Sequence, residues 1–167
     1  MEEHMFELTK DQIREFLKGR LIASIGTENP DGSIHLTAVW YLHEDQFFYV
    51  ATSSRSRKAR NVAARPKASL MVDSRKAGCE RGVTASGNAE IITGEGAQEL
   101  NRRVHLRYMS AAALSDARIG PVFHALDDVT IRLTATSWIS WDTGAVDAQL
   151  FHGALAAMPG CFLPLGD

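Results

Sequence analysis

Six basic residues, Arg55, Arg57, Lys58, Arg60, Arg65 and Lys67, fall within 13 positions and make up a third of the 18 Lys and Arg in the chain. Most sit in the run SSRSRKARNVAAR, which has helix-forming composition, serines to cap its start and Pro66 to end it. The run follows directly on an apolar β-type segment ending Val50-Ala51-Thr52. A strand that turns into a helix leaves the first helical N–H groups free and partly positive, an arrangement that binds phosphate. Ser56 adds a hydroxyl donor, Arg57 a forked guanidinium and Lys58 a compact positive charge. The same cluster also suits a solvated basic helix face. A nucleic-acid groove is the third option, but no aromatic residue interleaves the cluster to stack bases.

No other group of residues makes a comparable constellation. Cys79 and Cys161 form no CxxC pair, and His43, His105, His124 and His152 are scattered without metal-ligand spacing. A P-loop, a nucleophile elbow and an HExxH helix are all absent, and Gly94-Glu95-Gly96 has the wrong spacing for a dinucleotide fingerprint. His35, which follows the Asn29-Pro30-Asp31-Gly32 turn, is the best-placed acid–base candidate, yet a hydrogen-bonded structural histidine fits the same pattern. No catalytic residue and no metal site is assigned.

The elements that must position the cluster alternate between two periodicities. Thr9 caps a helix over residues 9–18 that places Ile13, Phe16 and Leu17 on one side. Leu21–Thr27, Ile34–Leu42 and Phe47–Thr52 read as three strands of an antiparallel meander. After the basic helix, Ala68–Asp73 and Val83–Ile92 are two more strands. Gly94–Met109 is a helix with Leu100, Val104 and Tyr108 four residues apart. Residues 110–126 read as helical turns interrupted at Gly120-Pro121. Val129–Trp141 is a sixth strand with Val129, Ile131, Leu133, Ala135 and Ser137 on one face. The fold class is mainly β with α: a six-stranded antiparallel split β-barrel with flanking helices, in one domain over 1–167 with its core at about 10–141 and a tail at 142–167.

Composition bounds the partners. With 167 residues, 45% hydrophobic and 23% charged, the chain can bury its own core without disulfides or metal. A net charge of -2 argues against bulk attraction to nucleic acid or to an anionic membrane. No run of about 18 apolar residues could span a bilayer, and the charged start MEEHMFELTKDQ lacks the apolar core of a secretory signal. A cytoplasmic protein is expected. The tail after Asp147 is apolar through Leu150, Phe151, Leu155, Met158, Phe162 and Leu163, and is expected to pack across a dimer or over a cleft.

In this context the order Thr52, Ser56-Arg57-Lys58-Ala59-Arg60-Asn61, then Arg65-Pro66-Lys67-Ala68-Ser69-Leu70-Met71-Val72, resembles the pyridoxamine 5′-phosphate oxidase-like superfamily of flavin-binding split barrels. The likeness extends to Leu21–Thr27, Pro30-Asp31-Gly32 with His35, Val39-Trp40-Tyr41-Leu42, Glu80-Arg81-Gly82-Val83 and Gly87-Asn88-Ala89-Glu90. It spans roughly residues 10–141, and the S-R-K-A element is its most specific part.

The resemblance implies a homodimer that binds FMN at the subunit interface. Thr52, Ser56, Arg57 and Lys58 would hold the 5′-phosphate; Val39, Trp40, Tyr41 and Leu42 would run along the ring, partly through backbone groups. Arg81 belongs to the same set, and Trp138 and Trp141 are candidates to reach the partner's cofactor, with ordinary barrel packing as the alternative for both. Two departures matter. Gly82 stands where the oxidase carries a flavin-binding glutamine, and no Lys or Arg follows Arg132, so the basic tail that grips a pyridoxamine phosphate is missing. The resemblance therefore implies an FMN-dependent oxidoreductase acting on another small molecule. The alternatives are an F420-dependent reductase, with Arg55, Arg60 and Arg65 serving the longer acidic tail of that coenzyme, and a flavin- or haem-holding module without turnover.

Overall fold

A computed structural model describes residues 7–164. The chain opens with α1 (Lys10–Lys18), whose Thr9 hydroxyl accepts from Gln12 N–H at 3.2 Å while Gln12 Oε1 accepts from Thr9 N–H at 2.8 Å. This reciprocal cap satisfies two donors that a helix start otherwise leaves open, for about 1 kcal/mol. Strands β1 (Ala23–Glu28) and β2 (Ile34–Val39) follow as a hairpin, then β3 (Leu42–Glu44) and β4 (Phe47–Thr52). Helix α2 (Arg57–Ala64) leads to β5 (Lys67–Ser74) and the long β6 (Arg81–Ile92). Helices α3 (Gly94–Tyr108), α4 (Ala111–Ser115) and α5 (Gly120–Leu126) intervene before β7 (Val129–Asp142), and α6 (Thr143–Leu150) and α7 (Ala154–Ala157) close the described chain.

All strands join one antiparallel sheet in the order β2-β1-β5-β6-β7-β4-β3, curled into a half-barrel. The count is seven strands, not six. Residues 34–42 read as one continuous β-favouring run, but the chain breaks at Trp40-Tyr41, where β2 leaves one sheet edge and β3 joins the opposite one. The split of the barrel is thus bridged by two residues of covalent chain.

Inside the curl lie Leu17, Ile25, Tyr41, Phe48, Val50, Leu70, Val72, Val83, Ile131 and Leu133, each essentially inaccessible. Burying side chains of this size contributes about 1.5–3 kcal/mol apiece. Tyr41 also carries a polar tip: its hydroxyl donates to the carbonyls of Leu17 (3.1 Å) and Gly19 (3.3 Å), where α1 ends and its last carbonyls lack helical partners. The Arg107 guanidinium, stacked 5.0 Å from the Tyr41 ring, donates to the same two carbonyls.

The alternation of β7 departs from the sequence pattern at one point. Val129, Ile131, Leu133 and Ala135 are buried as expected, but Ser137 is exposed and Ser140 is buried. Gly87 pairs with Ala135 and Ser86 with Ser137, so Thr136 is an extra residue, a β-bulge that reverses which face each later side chain takes. Gly87 makes this possible, because a Cβ there would sit inside the Thr134 carbonyl oxygen. Two further differences concern helices. Gly120-Pro121 starts α5, with proline in the first turn where its missing N–H costs nothing. The buried stripe of α3 is Ala97, Asn101, Val104 and His105, with Leu100 only half-buried. The tail packs Phe162 against Gly78 in the β5–β6 loop and leaves Leu150, Phe151, Met158 and Leu163 exposed.

Two outcomes follow for stability. Gly87→Ala should cost about 1–3 kcal/mol by overpacking, read as a lower urea midpoint at unchanged slope. The Tyr41 phenol, pushed up to about 12 by burial against the opposing charge of Arg107, favours the folded state while neutral. Its contribution is full below the ordinary value of 10.0 and lost as pH rises toward 12, so stability should fall across that window more steeply than in Tyr41→Phe.

Candidate functional site

The sheet has a filled inner face and a bare outer one. Strand register sorts the outer face into cross-strand rows: Leu36–Gly26–Ser69–Ser86–Ser137, then Ala38–Ser24–Met71–Thr84–Ile139. The first row is small or polar apart from Leu36, the second alternates small or polar with apolar residues, and Ile34, Leu36 and Ile139 are each more than 60% exposed. At one corner of this face a cleft of about 470 Å³ opens between β2, β4, α2, α3 and α5, lined by Ala38, Val39, Trp40, Thr52, Lys58 and Asp127 among others.

The floor of the cleft is the start of α2, and the local sequence explains its shape. Ser56 is the N-cap: its hydroxyl accepts from Ala59 N–H at 3.2 Å and lies 3.1 Å from the buried Thr52 hydroxyl. No described residue accepts from the N–H groups of Arg57 and Lys58. The loop before them is held by Asp128, whose carboxylate accepts from Ser54 N–H at 2.6 Å and from Ser54 Oγ at 2.7 Å. These bonds, assisted by the Arg55 charge, hold the Asp128 carboxyl below its ordinary range. Lys58 is half-buried, and its ammonium is pushed down by burial while Asp127 partly restores it.

One wall of the cleft is aromatic. The Trp40 indole stacks on Tyr108 (5.0 Å, 6°) and on Phe123 (6.0 Å, 14°), with His105 at its edge (6.5 Å, 74°). His105 is buried, and its Nε2 lies 2.7 Å from Asp127 Oδ2. Asn101 stands behind the pair, donating to the carbonyls of Asp127 (2.8 Å) and Val129 (3.2 Å).

Of the residues singled out in the sequence, Val39, Trp40, Thr52 and Lys58 line the cleft, with Ser56 bonded to Thr52 at its floor. Arg57 lies round the helix start in a second depression of about 580 Å³, with Arg60, Arg65 and Asp31. Tyr41 points inward, leaving only its backbone toward the outer side, and Leu42 sits half-buried in β3. Arg81 is turned toward α1, its guanidinium 5.3 Å from the Phe16 ring centre. The two tryptophans, three residues apart in β7, face opposite ways, and the bulge before them sets which one is inside. Trp138 lies inside against Phe48 (5.7 Å) and His43 (6.0 Å), whereas Trp141 pairs with Gly82 on the outer face, where a Cβ at Gly82 would overlap its indole. His35 pairs with Thr27 and does not line the cleft.

Asp127, His105 and Asn101 were not legible as site residues. His105 and Asn101 fall between the apolar positions that define the periodicity of α3, and Asp127 joins them only through the fold. A hydroxyl pair, an ammonium and two backbone N–H groups without a described acceptor meet at one helix start, a donor set that could hold a phosphate.

Comparison with known proteins places this geometry in a family. No curated protein matches the chain. Among solved structures, the conserved hypothetical protein Rv2991 from Mycobacterium tuberculosis superposes with a TM-score of 0.74 at 23% identity, over 100% of this chain and 98% of that one. An F420 reductase matches with a TM-score of 0.59 at 19% identity (75% and 94% of the two chains), and a FAD-binding protein from Mesorhizobium loti with 0.58 at 18% (81% and 95%). At these identities the structural likeness establishes the shared fold. The sequence profile of pyridoxamine 5′-phosphate oxidase matches residues 9–142, α1 through β7, and the chain belongs to that family.

Proposed function

We propose that this protein is an FMN-binding, flavin-dependent oxidoreductase that works as a homodimer. The observation that carries the reading is the convergence of Thr52, Ser56, Lys58 and the free N–H groups of Arg57 and Lys58 at the start of α2. A 5′-phosphate seated there would direct the ring along the backbone of residues 39–42, past the Trp40 stack. The flavin ring, when bound, supplies two-electron chemistry by exchanging a hydride at N5 with a small-molecule substrate. The protein's share is orientation: the cleft fixes the phosphate end and the aromatic wall limits solvent.

The outer sheet face supplies the reason for a dimer. Ile34 and Leu36 on β2 and Ile139 on β7 are exposed apolar side chains on a face of small residues that a second copy would cover, and the cleft lies at its corner. Packed about a two-fold axis, each subunit would bring Trp141 toward the partner's cleft, since Trp141 and not Trp138 stands on that face. Both cysteines are free thiols, as a cytoplasmic location would have them.

A specific observation favours F420 as the second reading. Arg57 and Arg60 share a depression beside the α2 start and form no ion pair among the described residues, so a coenzyme with an acidic extension beyond its phosphate would find charge waiting. Titration of the purified protein with FMN and with F420 separates the two: a markedly tighter F420 complex moves the chemistry to deazaflavin reduction, and binding of neither removes the flavin reading.

Two variants test the details. Lys58→Ala should weaken FMN by about 1.5–3 kcal/mol while leaving riboflavin, which lacks the phosphate, nearly unchanged; full retention of FMN affinity would put the phosphate elsewhere. Leu36→Arg should turn a sedimenting dimer into a monomer and reduce FMN retention together with it. A dimer that survives this change would move the interface off the outer sheet face.

A further inference from the structure

Asp127 is an unexpected resident of a phosphate cleft, because a carboxylate close to a bound phosphate is repulsive. Its placement is nonetheless firmly built. One carboxylate oxygen is held at 2.7 Å by Nε2 of His105, a ring itself wedged between Phe123 (5.0 Å) and the edge of Trp40 (6.5 Å). The backbone carbonyl of Asp127 is held by the buried Asn101 amide, whose oxygen in turn lies 2.6 Å from the Thr130 hydroxyl. The histidine fixes the carboxylate, the Asn101 bonds fix the backbone that carries it, and none of these contacts uses the second carboxylate oxygen. No described residue donates to Asp127 Oδ1.

Lys58 and Asp127 line the same cleft and feel each other's charge, yet they form no ion pair. An ammonium and a carboxylate that share a small cleft without closing on each other leave room for a group between them. That group has to offer an acceptor to Lys58 and a donor to Asp127. A phosphate monoester next to a hydroxyl-bearing carbon chain offers both: phosphate oxygens toward Lys58 and the α2 start, and a hydroxyl hydrogen toward Asp127 Oδ1.

We infer that Asp127, positioned by His105, is the residue that reads a hydroxyl of a polyol phosphate, so that the cleft selects a ligand in which the phosphate is joined to a hydroxylated chain. This rests on the flavin reading above and deepens it, since it assigns the polyol segment between ring and phosphate to a residue outside the S-R-K element.

The test is fluorescence titration of the unaltered protein and of Asp127→Ala with FMN, riboflavin and lumiflavin, the last carrying neither polyol nor phosphate. Asp127→Ala should lower affinity for riboflavin about 10- to 100-fold for a lost bond to a charged group, lower it less for FMN because repulsion on the phosphate is relieved at the same time, and leave lumiflavin unchanged. His105→Gln should give a smaller loss that disappears in the Asp127→Ala background. Tighter FMN binding by Asp127→Ala would overturn the inference and make Asp127 a mere opposing charge. An equal loss for lumiflavin would overturn it too, by placing the effect on the ring or the fold. If Asp127→Ala does not fold, Asp127→Asn, which keeps the shape and an acceptor oxygen, should bind FMN between the two, and undiminished binding would again refute the role. Failure of the unaltered protein to bind any of the three ligands would instead remove the flavin reading, a result distinct from selective failure of the Asp127 prediction.

Discussion

The step from β2 to β3 constrains everything else in this protein. Within Trp40 and Tyr41 the chain leaves one edge of the sheet and enters the other, so the two side chains must face opposite ways. Tyr41 turns inward and secures the end of α1; Trp40 turns outward and becomes the middle ring of a stack that fastens α3 and α5 to the barrel. Both halves of the molecule are tied at this point. The cleft exists because the same residue that anchors the helical insertion also forms its wall. Tyr108 serves both sides of the tie, stacking on Trp40 while its hydroxyl donates to Leu21 carbonyl at 2.8 Å.

Behind the cleft, α3 faces the barrel with polar groups as well as apolar ones. Asn101, His105 and Thr130 are buried, and each finds its partners: the Asn101 amide on two carbonyls, its oxygen with Thr130, His105 with Asp127. Unpaired, such groups would each cost about 1–3 kcal/mol; fully paired, they fix one arrangement where interchangeable aliphatic contacts would allow several. The exposed ion pairs elsewhere, such as Arg14–Asp11 and Lys18–Glu15, have no comparable role, since solvent screens them. Order in this site comes from buried hydrogen bonds.

How far the sequence could be read depends on whether the deciding interaction was local. The α1 cap, the serine cap of α2 and the basic helix start after β4 are all settled within a few residues, and all are legible in the sequence. The long strands were legible for the same reason, through alternation. The break at Trp40-Tyr41 was hidden because Val39, Trp40, Tyr41 and Leu42 all favour β structure, and what divides them is the curl of the whole sheet. The face of Ser137 was hidden because a bulge is a property of two paired strands: Thr136 is extra only relative to Gly87 across the ladder. His105 was hidden because apolar spacing in α3 draws the eye to Leu100, Val104 and Tyr108. Asp127 lies 22 positions from its histidine and has no motif to announce it.

The bulge in β7 has a consequence for how relatives of this chain can diverge. It acts as a phase shifter: the residues before it are counted from the barrel core, and those after it are counted one step out. Losing Thr136 would leave the first half of β7 in place and exchange the faces of the second half, bringing the indole of residue 138 to the outer surface and sending that of residue 141 inward. A single-codon deletion could therefore change which indole the outer face of the sheet presents, while the barrel keeps its strands and their order.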